Sequence, residues 1–411
     1  MKKISTKYSL IFLISFIMLF LIGCWDYTEI ERRGYVLGIA IDGADPVPKG
    51  QETEEDYLNE RHLEEIELLA GKKKYAYTIQ IPIIPMALVK PAGGGGGGEA
   101  SQEKTWDLTV VGQSFFEANR LFSTRLNYPP FYEHLKVIVI NEDIARKNMS
   151  ETIDVMLRDA EMRRRTRVFI TPGEAKKVLD ASPNIDDYAS LYLDKLPLNA
   201  FKTSRMPHKT DLGEVSKSLH ANIDFVLPKI IATKDEFKNA GVAVFRQGKM
   251  VGWLGELDTF YLKWIRDSVI GGLLVVDSPY KSGKIITLEI DSTSVKVRPI
   301  VKNGSITMSI KGKTTMSVAE NSDITDLKPF NDKVLGELEE IASKKLEKGI
   351  KDTIRYVQKE FNADIFNFSL ALQRYEPSTW DKIKDNWYDI FKNIDVDIEI
   401  DVRIHDTGLT K

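Results

Sequence analysis

In the first half of the chain, short segments with the apolar pattern of strands alternate with segments that have the apolar spacing of helices. This alternation predicts an α/β layer. Short apolar runs predict buried strands, and apolar residues three and four positions apart predict helices. The runs indicate strands at 35–42, 75–84, 134–140 and 167–170. Strands that alternate with helices imply β-α-β crossovers, so we expect an N-terminal α/β domain over 24–180.

Three helices are expected in this domain. Ser114 fits the N-cap of a capping box that opens a helix through about residue 126. A second helix is predicted from about 150 to 162. Thr171, Pro172 and Glu174 fit the N-cap, first turn and capping-box partner of a third helix.

The pattern changes near residue 240, where paired strand signals predict a C-terminal α+β domain over 240–408. The expected elements are a hairpin at 240–254, a helix at 256–267, strands at 285–291, 295–301 and 305–310, a long helix at 332–360 and a strand at 395–404 with one wet face. Gly349 is a potential break in the long helix. Trp380 and Trp387 are expected on one face of a short helix. The fold class is therefore α+β, with mixed α/β layers in several domains.

Residues 181–239 carry four prolines and show little periodicity outside 186–196. Two interpretations stay open for this region, a small middle domain and an extended connector.

Two segments of the N-terminal domain are unusual in composition. Residues 51–70 are acidic and are expected to form a solvated helix on a loop. Residues 93–98 are six consecutive glycines. They are not followed by the Gly-Lys-Ser/Thr ending of a phosphate-binding loop, so we expect a flexible loop.

The chain begins with features of a secretory signal. Three lysines precede an apolar stretch from Leu10 to Ile22, which is shorter than the roughly 20 residues of a spanning helix. The stretch ends in Gly23-Cys24, which resembles the bacterial lipobox. We therefore expect a signal peptide over 1–23, cleavage between Gly23 and Cys24, and a diacylglyceryl group on the Cys24 thiol. The alternative is an uncleaved anchor helix with an incidental cysteine.

Composition narrows the class of protein further. Cys24 is the single cysteine, so the chain cannot form an intramolecular disulfide. Hydrophobic residues make up 43% and charged residues 28%, as in ordinary globular proteins. Loss of the three lysines before Cys24 would move the formal net charge from -3 to -6. This balance gives no reason to expect a nucleic-acid partner.

The motifs of common enzymes and metal sites are missing from the sequence. The five histidines, at 62, 134, 208, 220 and 405, make no metal-binding pattern. Ser114 follows Gly112, but Phe116 replaces the second glycine of a hydrolase motif. The acidic residues of the last strand could suggest calcium, but a solvated strand face is the better interpretation. We expect no catalytic residue, no metal and no cofactor.

The densest basic cluster consists of Arg163, Arg164, Arg165 and Arg167. Near a membrane, such arginines would contact anionic lipid at about 1 kcal/mol each, or an acidic partner loop. The alternative is a set of cations that complements the dipole at a helix C-terminus.

The order of segments along the chain resembles the Ger(x)C lipoproteins, the C subunits of bacterial spore germinant receptors. The likeness begins with "GCWDYTEI" and "VLGIAID". It continues through "WDLTVVGQSFFEANRLF", "FYEHLKVIVINEDIAR" and "VAVFRQGKMVGWL", and ends with "EFNADIFNF", two tryptophans and "RIHDTG". The acidic insert at 51–70 and the glycine run depart from the family pattern.

The resemblance implies a lipoprotein of three mixed α/β domains with no enzymatic activity. It implies integral membrane A and B subunits as partners, the inner spore membrane as location, and nutrient-triggered germination as the process. Cys24 is the one residue to which it assigns a chemical role.

An extracytoplasmic solute-binding lipoprotein is the alternative function. That class would have two similar α/β lobes, and the last part of the chain does not repeat the first.

Overall fold

The computed structural model describes residues 33–44, 75–83, 104–183, 185–186, 188–266, 269, 271–322 and 332–406. The signal segment 1–23, Cys24, the acidic insert at 51–70 and the glycine run at 93–98 lie outside the described residues, so the predictions for them stay predictions.

The elements up to residue 254 include the predicted alternation of strands and helices between residues 115 and 180. They are β1 (Gly34–Tyr35), β2 (Gly38–Gly43), β3 (Tyr75–Pro82), β4 (Thr105–Gly112), α1 (Phe115–Phe122), β5 (Pro130–Phe131), β6 (Val137–Asn141), α2 (Glu142–Lys147), α3 (Met149–Arg158), β7 (Arg167–Thr171), α4 (Ala175–Asp180), α5 (Ala189–Lys195), a 3-10 helix (Leu196–Phe201), α6 (Leu212–His220), β8 (Phe225–Ala232), β9 (Phe237–Arg246) and β10 (Lys249–Leu254).

The remaining described elements form the C-terminal α+β part. They are α7 (Glu256–Arg266), β11 (Leu273–Asp277), β12 (Ile285–Lys302), β13 (Ser305–Asn321), α8 (Asp332–Glu360), α9 (Phe368–Tyr375), α10 (Pro377–Ile383), a 3-10 helix (Lys384–Asn386), α11 (Trp387–Phe391) and β14 (Asp395–Asp406). The fold class, a multi-domain mixture of α and β, is as predicted.

Eight strands form one large sheet in the order β10-β9-β8-β7-β6-β2-β3-β4. Its four central strands, β8, β7, β6 and β2, are parallel. Antiparallel strands flank them on both sides. Side chains alternate between two cores along each central strand. In β6, Ile138 and Ile140 face the core under α1, α2, α3 and α6, and Val137 and Val139 face the core under α4 and α5. Helices on both faces therefore explain the unbroken apolar runs in the sequence.

This sheet crosses both of the positions at which the sequence suggests domain boundaries, 180 and 240. From 181–239, β8 supplies the fourth parallel strand. The β9–β10 hairpin continues the sheet, and its two faces belong to different cores. Ala243 and Phe245 pack in the core of the large sheet, whereas Val242 and Val244 pack in the core of the C-terminal part.

The C-terminal sheet has the order β11-β12-β13-β14 and packs against α8. The sequence predicts three short strands here, but the first two are one continuous strand, β12. Irregular pairing after Thr287 and Ile290 lets this long strand bend without ending. The outward row of acidic residues on β14 is exposed, as predicted for a strand with one wet face.

The helix α8 covers both edge strands of this sheet with polar side chains. Glu339 and Glu347 accept hydrogen bonds from the backbone N–H groups of Ile404 (2.9 Å) and Ile400 (3.0 Å) in β14. At the other edge, Lys345 donates to the carbonyl of Val275 at 2.7 Å. Edge groups that would otherwise be open to strand pairing are thereby occupied.

Several predicted helix ends are wrong for local reasons. Ser114 caps α1 as expected, with its side chain accepting from Glu117 N at 3.2 Å, but α1 ends at 122. Helix α3 ends at Arg158 instead of 162, since Asp159 is extended.

The predicted cap at Thr171 is also wrong. Glu174 is the N-cap of α4 and makes no side-chain cap bond. The Asp42 carboxylate at the end of β2 instead accepts from the N–H groups of Ala175 (2.6 Å) and Lys176 (2.9 Å). Burial raises the pKa of Asp42, and these two N–H groups oppose the rise.

Trp380 and Trp387 lie in different helices, because the 3-10 turn separates α10 from α11. Their rings nevertheless touch edge to face, with centroids 5.4 Å apart.

A buried carboxylate joins the large sheet to the C-terminal part. Asp224, which is 4% exposed, accepts from Gln247 N at 3.1 Å, Asp364 N at 2.8 Å and the Tyr388 hydroxyl at 3.0 Å. Asp364 in turn accepts from the first N–H groups of α9, those of Phe368 and Ser369, at 2.9 and 2.7 Å. Burial raises the pKa of both carboxyl groups, that of Asp364 to about 6.

A second buried polar group lies on β3, next to the edge strand β4 of the large sheet. The Gln80 side chain is fully buried and donates to Leu179 O at 2.8 Å, while its oxygen accepts from the Ser190 hydroxyl at 2.6 Å. Its nitrogen also contacts Asp107 at 3.5 Å. Burial, with the nearby Asp180 carboxylate as a smaller cause, raises the pKa of Asp107 to about 7.

We expect Asp107→Asn to make stability less dependent on pH. Because the folded pKa of Asp107 is raised above its unfolded value, its contribution is fully present below about pH 4 and is lost as pH rises through about 7. The free energy of unfolding of the variant, relative to the unaltered chain, should rise by roughly 2 kcal/mol between pH 5 and pH 8. Denaturant titrations at the two pH values measure this. Asp385→Asn, at an exposed position, is the matched control, and equal behaviour of both variants would contradict the assignment.

Substitution of glycine by alanine should have opposite effects on stability at two positions of α8. The helix is unbroken at Gly349, where an added Cβ would lie 2.0 Å from the Tyr261 ring. Gly349→Ala should therefore lower the free energy of unfolding by about 1–3 kcal/mol through overpacking. An added Cβ at Gly336 would meet nothing within 4 Å, so Gly336→Ala should raise stability by up to about 1 kcal/mol. Thermal denaturation of both variants is the test, and stabilisation by Gly349→Ala would show that α7 and α8 do not pack this closely.

Candidate functional site

The first described residues are fixed against a loop at the beginning of the parallel strands. Strand β1 pairs with β5 in parallel. Gly34 N donates to Pro129 O, and Val36 N donates to Phe131 O, both at 3.0 Å. A side chain at 34 would come within 3.2 Å of the carbonyl oxygens of Tyr128 and Pro129, which explains the glycine. The first described strand therefore has a defined place in the domain.

Aromatic and cationic side chains surround this place. The Arg33 guanidinium lies 4.0 Å from the centroid of the Phe131 ring. Tyr35 makes edge-to-face contacts with Phe131 (5.8 Å) and His134 (5.2 Å). We call residues 33–35, 128–134 and 159–165 the amino-terminal surface.

The predicted arginine cluster belongs to this surface. Arg163, Arg164 and Arg165 lie in the loop that joins α3 to β7, next to the β5 loop, whereas Arg167 is the first residue of β7. Arg163 forms an ion pair with Glu133 at 3.6 Å, and both side chains are close to half exposed. Tyr132 N donates to Glu161 at 3.1 Å. These two contacts hold the arginine loop beside β5 and its pairing partner β1.

The four arginines have different environments. Arg164 donates to the Ser216 hydroxyl at 3.1 Å, and its carbonyl accepts from Gly213 N at 2.8 Å. The Arg167 side chain is 13% exposed and pairs with Asp194 at 3.4 Å. Both therefore tie the loop and β7 to neighbouring elements.

Arg163, Arg164 and Arg165 are all exposed, but Arg164 is hydrogen-bonded to Ser216, so Arg163 and Arg165 are the members of the cluster that offer charge to a partner. The helix-dipole alternative does not fit, because α3 ends five residues before Arg163.

Two of the three acidic residues on the amino-terminal surface accept hydrogen bonds that hold the loop between α3 and β7 in place. Asp159 accepts from Glu161 N at 2.8 Å, and Glu161 accepts from Tyr132 N. Both are only partly exposed, whereas Arg163, Arg164 and Arg165 are exposed. The accessible charge of the surface is therefore mainly positive.

The described residues show no grouping for metal chemistry and no membrane-spanning helix. Within the ranges described, no three His, Cys, Asp or Glu side chains come together as metal ligands. In the same ranges, every helix is too short or too polar to cross a bilayer. The predicted lipid attachment site at Cys24 and the cleavage site at Gly23 precede the described residues.

The sequence reasoning found the arginines of this surface but missed its aromatic part. The signal was present in the run "YPPFYEH" at 128–134, where Tyr128 is 38% exposed. Prolines hide the periodicity there, and the pairing of β1 with β5 joins residues almost 100 positions apart.

Comparisons with known proteins cover the whole fold. Residues 26–232 match the family described as spore germination protein N-terminal domain, and residues 240–408 match the family described as spore germination B3/GerAC like, C-terminal. Spore germination protein YndF of Bacillus subtilis is 27% identical over 413 residues, covering 100% of this chain and 99% of that protein. Spore germination protein B3 of the same organism is 26% identical over 412 residues, covering 99% of both.

A solved structure shares the fold. The crystal structure of the GerBC protein has a TM-score of 0.55 and 23% sequence identity, and the match covers 81% of this chain and 94% of that chain. Since the N-terminal family model alone spans half of the sequence and the C-terminal model spans most of the remainder, the chain belongs to the Ger(x)C family of spore germination proteins.

Proposed function

We propose that the chain is the lipid-anchored subunit of a spore germinant receptor and acts in nutrient-triggered germination by binding integral membrane A and B subunits. The role is one of binding and assembly, without catalysis. The family supports a germination role, and the names of its relatives place them in that process.

The observation that carries the proposal is the position of the arginines beside the amino end of the domain. Cys24 precedes Arg33 by nine residues, which span at most about 30 Å when fully extended. A lipid on Cys24 would therefore hold the amino-terminal surface close to the headgroups. Exposed Arg163 and Arg165 would then be within reach of anionic lipid and of loops from the membrane subunits.

The runner-up function, a solute-binding lipoprotein, has less support from the architecture. That class needs two similar α/β lobes with a cleft between them. Here a large mixed sheet is followed by a four-stranded sheet under a long helix, so the two parts differ in kind.

Replacing Cys24 tests the anchor. Cys24→Ala should leave the precursor without lipid, so that it stays uncleaved or is released from the membrane, since the thiol is the attachment atom. Fractionation with metabolic acyl labelling measures both properties. Gly23→Ala is the matched control, because it keeps the thiol and a small residue before it and should leave processing unchanged. A labelled, membrane-bound Cys24→Ala chain of normal size would refute the anchor.

Replacing two arginines tests the surface. Arg163→Ser with Arg165→Ser should reduce co-purification of the membrane subunits by up to about thirtyfold, with delayed germination, since two exposed charges near the membrane together contribute about 2 kcal/mol. Arg164 is left in place because it bonds to Ser216.

The matched control is Lys296→Ser with Lys313→Ser, which removes two exposed charges from the C-terminal hairpin. Both double variants should retain the thermal midpoint of the unaltered chain. Wild-type assembly and germination in the arginine variant would remove this surface from the mechanism while leaving the lipid anchor untouched.

A further inference from the structure

A recess of about 360 Å³ lies between the second half of α8 and the beginning of β14. It lies at an edge of the C-terminal sheet, because β14 is the outermost strand on that side. A strand edge presents backbone N–H and C=O groups that need partners. The side chains of α8 that face β14 therefore determine where this edge is closed and where it is open to another molecule.

The acidic side chains of α8 follow the edge of β14 at a regular interval. Glu339 accepts a hydrogen bond from Ile404 N. Glu347, eight residues later in α8, accepts from Ile400 N, four residues earlier in β14. The interval is regular because four residues of helix, about 6 Å, match two residues of strand, about 6.6 Å.

The next position of this series breaks the pattern. Eight residues after Glu347 comes Arg355, and four residues before Ile400 comes Val396. Arg355 and Val396 both line the recess. The Val396 N–H group faces α8 as that of Ile400 does, since every second residue of a strand presents its backbone groups to the same edge. A guanidinium group can only donate, so the acceptor for Val396 N must come from solvent or from another molecule.

Further cations surround this place. The exposed cations that line the recess are Lys351, Arg355, Lys359 and Lys392. Lys359 pairs with its neighbour Glu360 at 3.7 Å. The other three have no ion pair and no side-chain hydrogen bond in the described part of the chain. Asp395 is the one acidic residue of the lining, so the recess has an excess of positive charge.

The spacing of these cations indicates the shape of the anion that fits them. Lys351, Arg355 and Lys359 follow one another at intervals of four residues, which is about 6 Å along a helix. Side chains on one side of an extended peptide repeat every two residues, which is about 7 Å. A peptide with an acidic residue at every second position therefore matches the row of cations along its length.

We propose that the recess is a docking surface for an acidic, extended segment of a partner protein. One carboxylate of the segment accepts from Val396 N, in the role that Glu347 has at Ile400. The next carboxylates lie against the cations of α8 and form charge-assisted hydrogen bonds with them. A planar membrane surface fits less well, because an acceptor has to enter the space between helix and strand to reach Val396 N.

The test is the binding of a labelled peptide to the full chain in detergent, measured by fluorescence anisotropy. The probe is fluorescein-labelled Asp-Ser-Asp-Ser-Asp-Ser-Asp with an amidated carboxyl end. We expect it to bind about fivefold more tightly than Asp-Asp-Asp-Asp-Ser-Ser-Ser, the effect of one further ion pair. The peptide with Asn in place of each Asp should not bind.

Three outcomes of this titration would overturn the proposal. The first is no binding of the alternating peptide at millimolar concentration. The second is equal affinity of the alternating and clustered peptides, which would indicate general attraction between charges. The third is displacement by phosphatidylglycerol micelles as effective as that by the unlabelled peptide, which would identify a lipid surface as the partner.

Variants of α8 locate the binding in the recess. Lys351→Gln with Arg355→Gln should weaken binding of the alternating peptide roughly tenfold through the loss of two ion pairs. Lys344→Gln with Lys348→Gln is the matched control, because it removes the same charge at the same spacing from exposed positions of α8 outside the recess. Glutamine has nearly the helix propensity of lysine and arginine, so both double variants should keep the thermal midpoint of the unaltered chain. Equal affinity of the two double variants would contradict the assignment.

Arg355→Glu tests the open N–H group by itself. The new carboxylate should accept from Val396 N as Glu347 accepts from Ile400 N. The variant should therefore lose peptide binding and have a thermal midpoint about 1–2 °C above that of Arg355→Gln. A midpoint at or below that of Arg355→Gln would show that this N–H group does not need an acceptor in the recess and would overturn the proposal.

Discussion

The β9–β10 hairpin is buried on both faces, and each face belongs to a different hydrophobic core. A hairpin in this position cannot move with one core and leave the other without exposing apolar side chains to water. Asp224 strengthens the constraint, because it binds the turn of this hairpin, the loop before α9 and the Tyr388 hydroxyl of α11 at once. Loss of this carboxylate would leave one buried donor, Asp364 N, and two partly buried donors without their acceptor, and a fully buried unsatisfied donor costs about 1–3 kcal/mol. The relation between the two sheets therefore rests on the hairpin and this one side chain.

The same constraint shapes the surroundings of a cavity of about 420 Å³ between the large sheet and the C-terminal helices. Its lining includes Phe225, the residue after Asp224, and Val242 of the shared hairpin. From the other side, Asn367 and Leu370 line it at the start of α9, whose first N–H groups are held by Asp364. Both walls are thus anchored to the buried carboxylates at the junction. A change in the junction would therefore alter the width of the cavity.

Sequence reasoning succeeded where a structure is encoded by neighbours along the chain. The apolar runs of β2, β6 and β7, the Ser114 cap and the exposed acids of β14 are local signals, and all are found in the structure. It failed where the structure of a segment depends on residues that are distant in the sequence. The Asp42 carboxylate caps α4 from 133 positions away along the chain. Gly349 does not break α8, and a glycine is needed there because the Tyr261 ring occupies the space of a side chain. Strand β8 contains Pro228 and follows a segment whose sequence shows little periodicity, so its place in the sheet has no local signature. The arginine cluster was visible in the sequence, but the structural roles of Arg164 and Arg167 depend on their distant partners Ser216 and Asp194.

The amino-terminal surface and the cavity are thus placed on one rigid frame. The amino-terminal surface belongs to the beginning of the parallel strands, where β1 fixes the incoming chain to the β5 loop. The cavity belongs to the junction with the C-terminal core. The parallel strand β7 links them, since Arg167 at its start follows the arginine loop and its pairing partner β8 lines the cavity. Because the hairpin belongs to both cores, a shift at the junction is transmitted through packed strands. Any displacement of the large sheet relative to the C-terminal part must therefore act on the hairpin and Asp224, where the two cores meet.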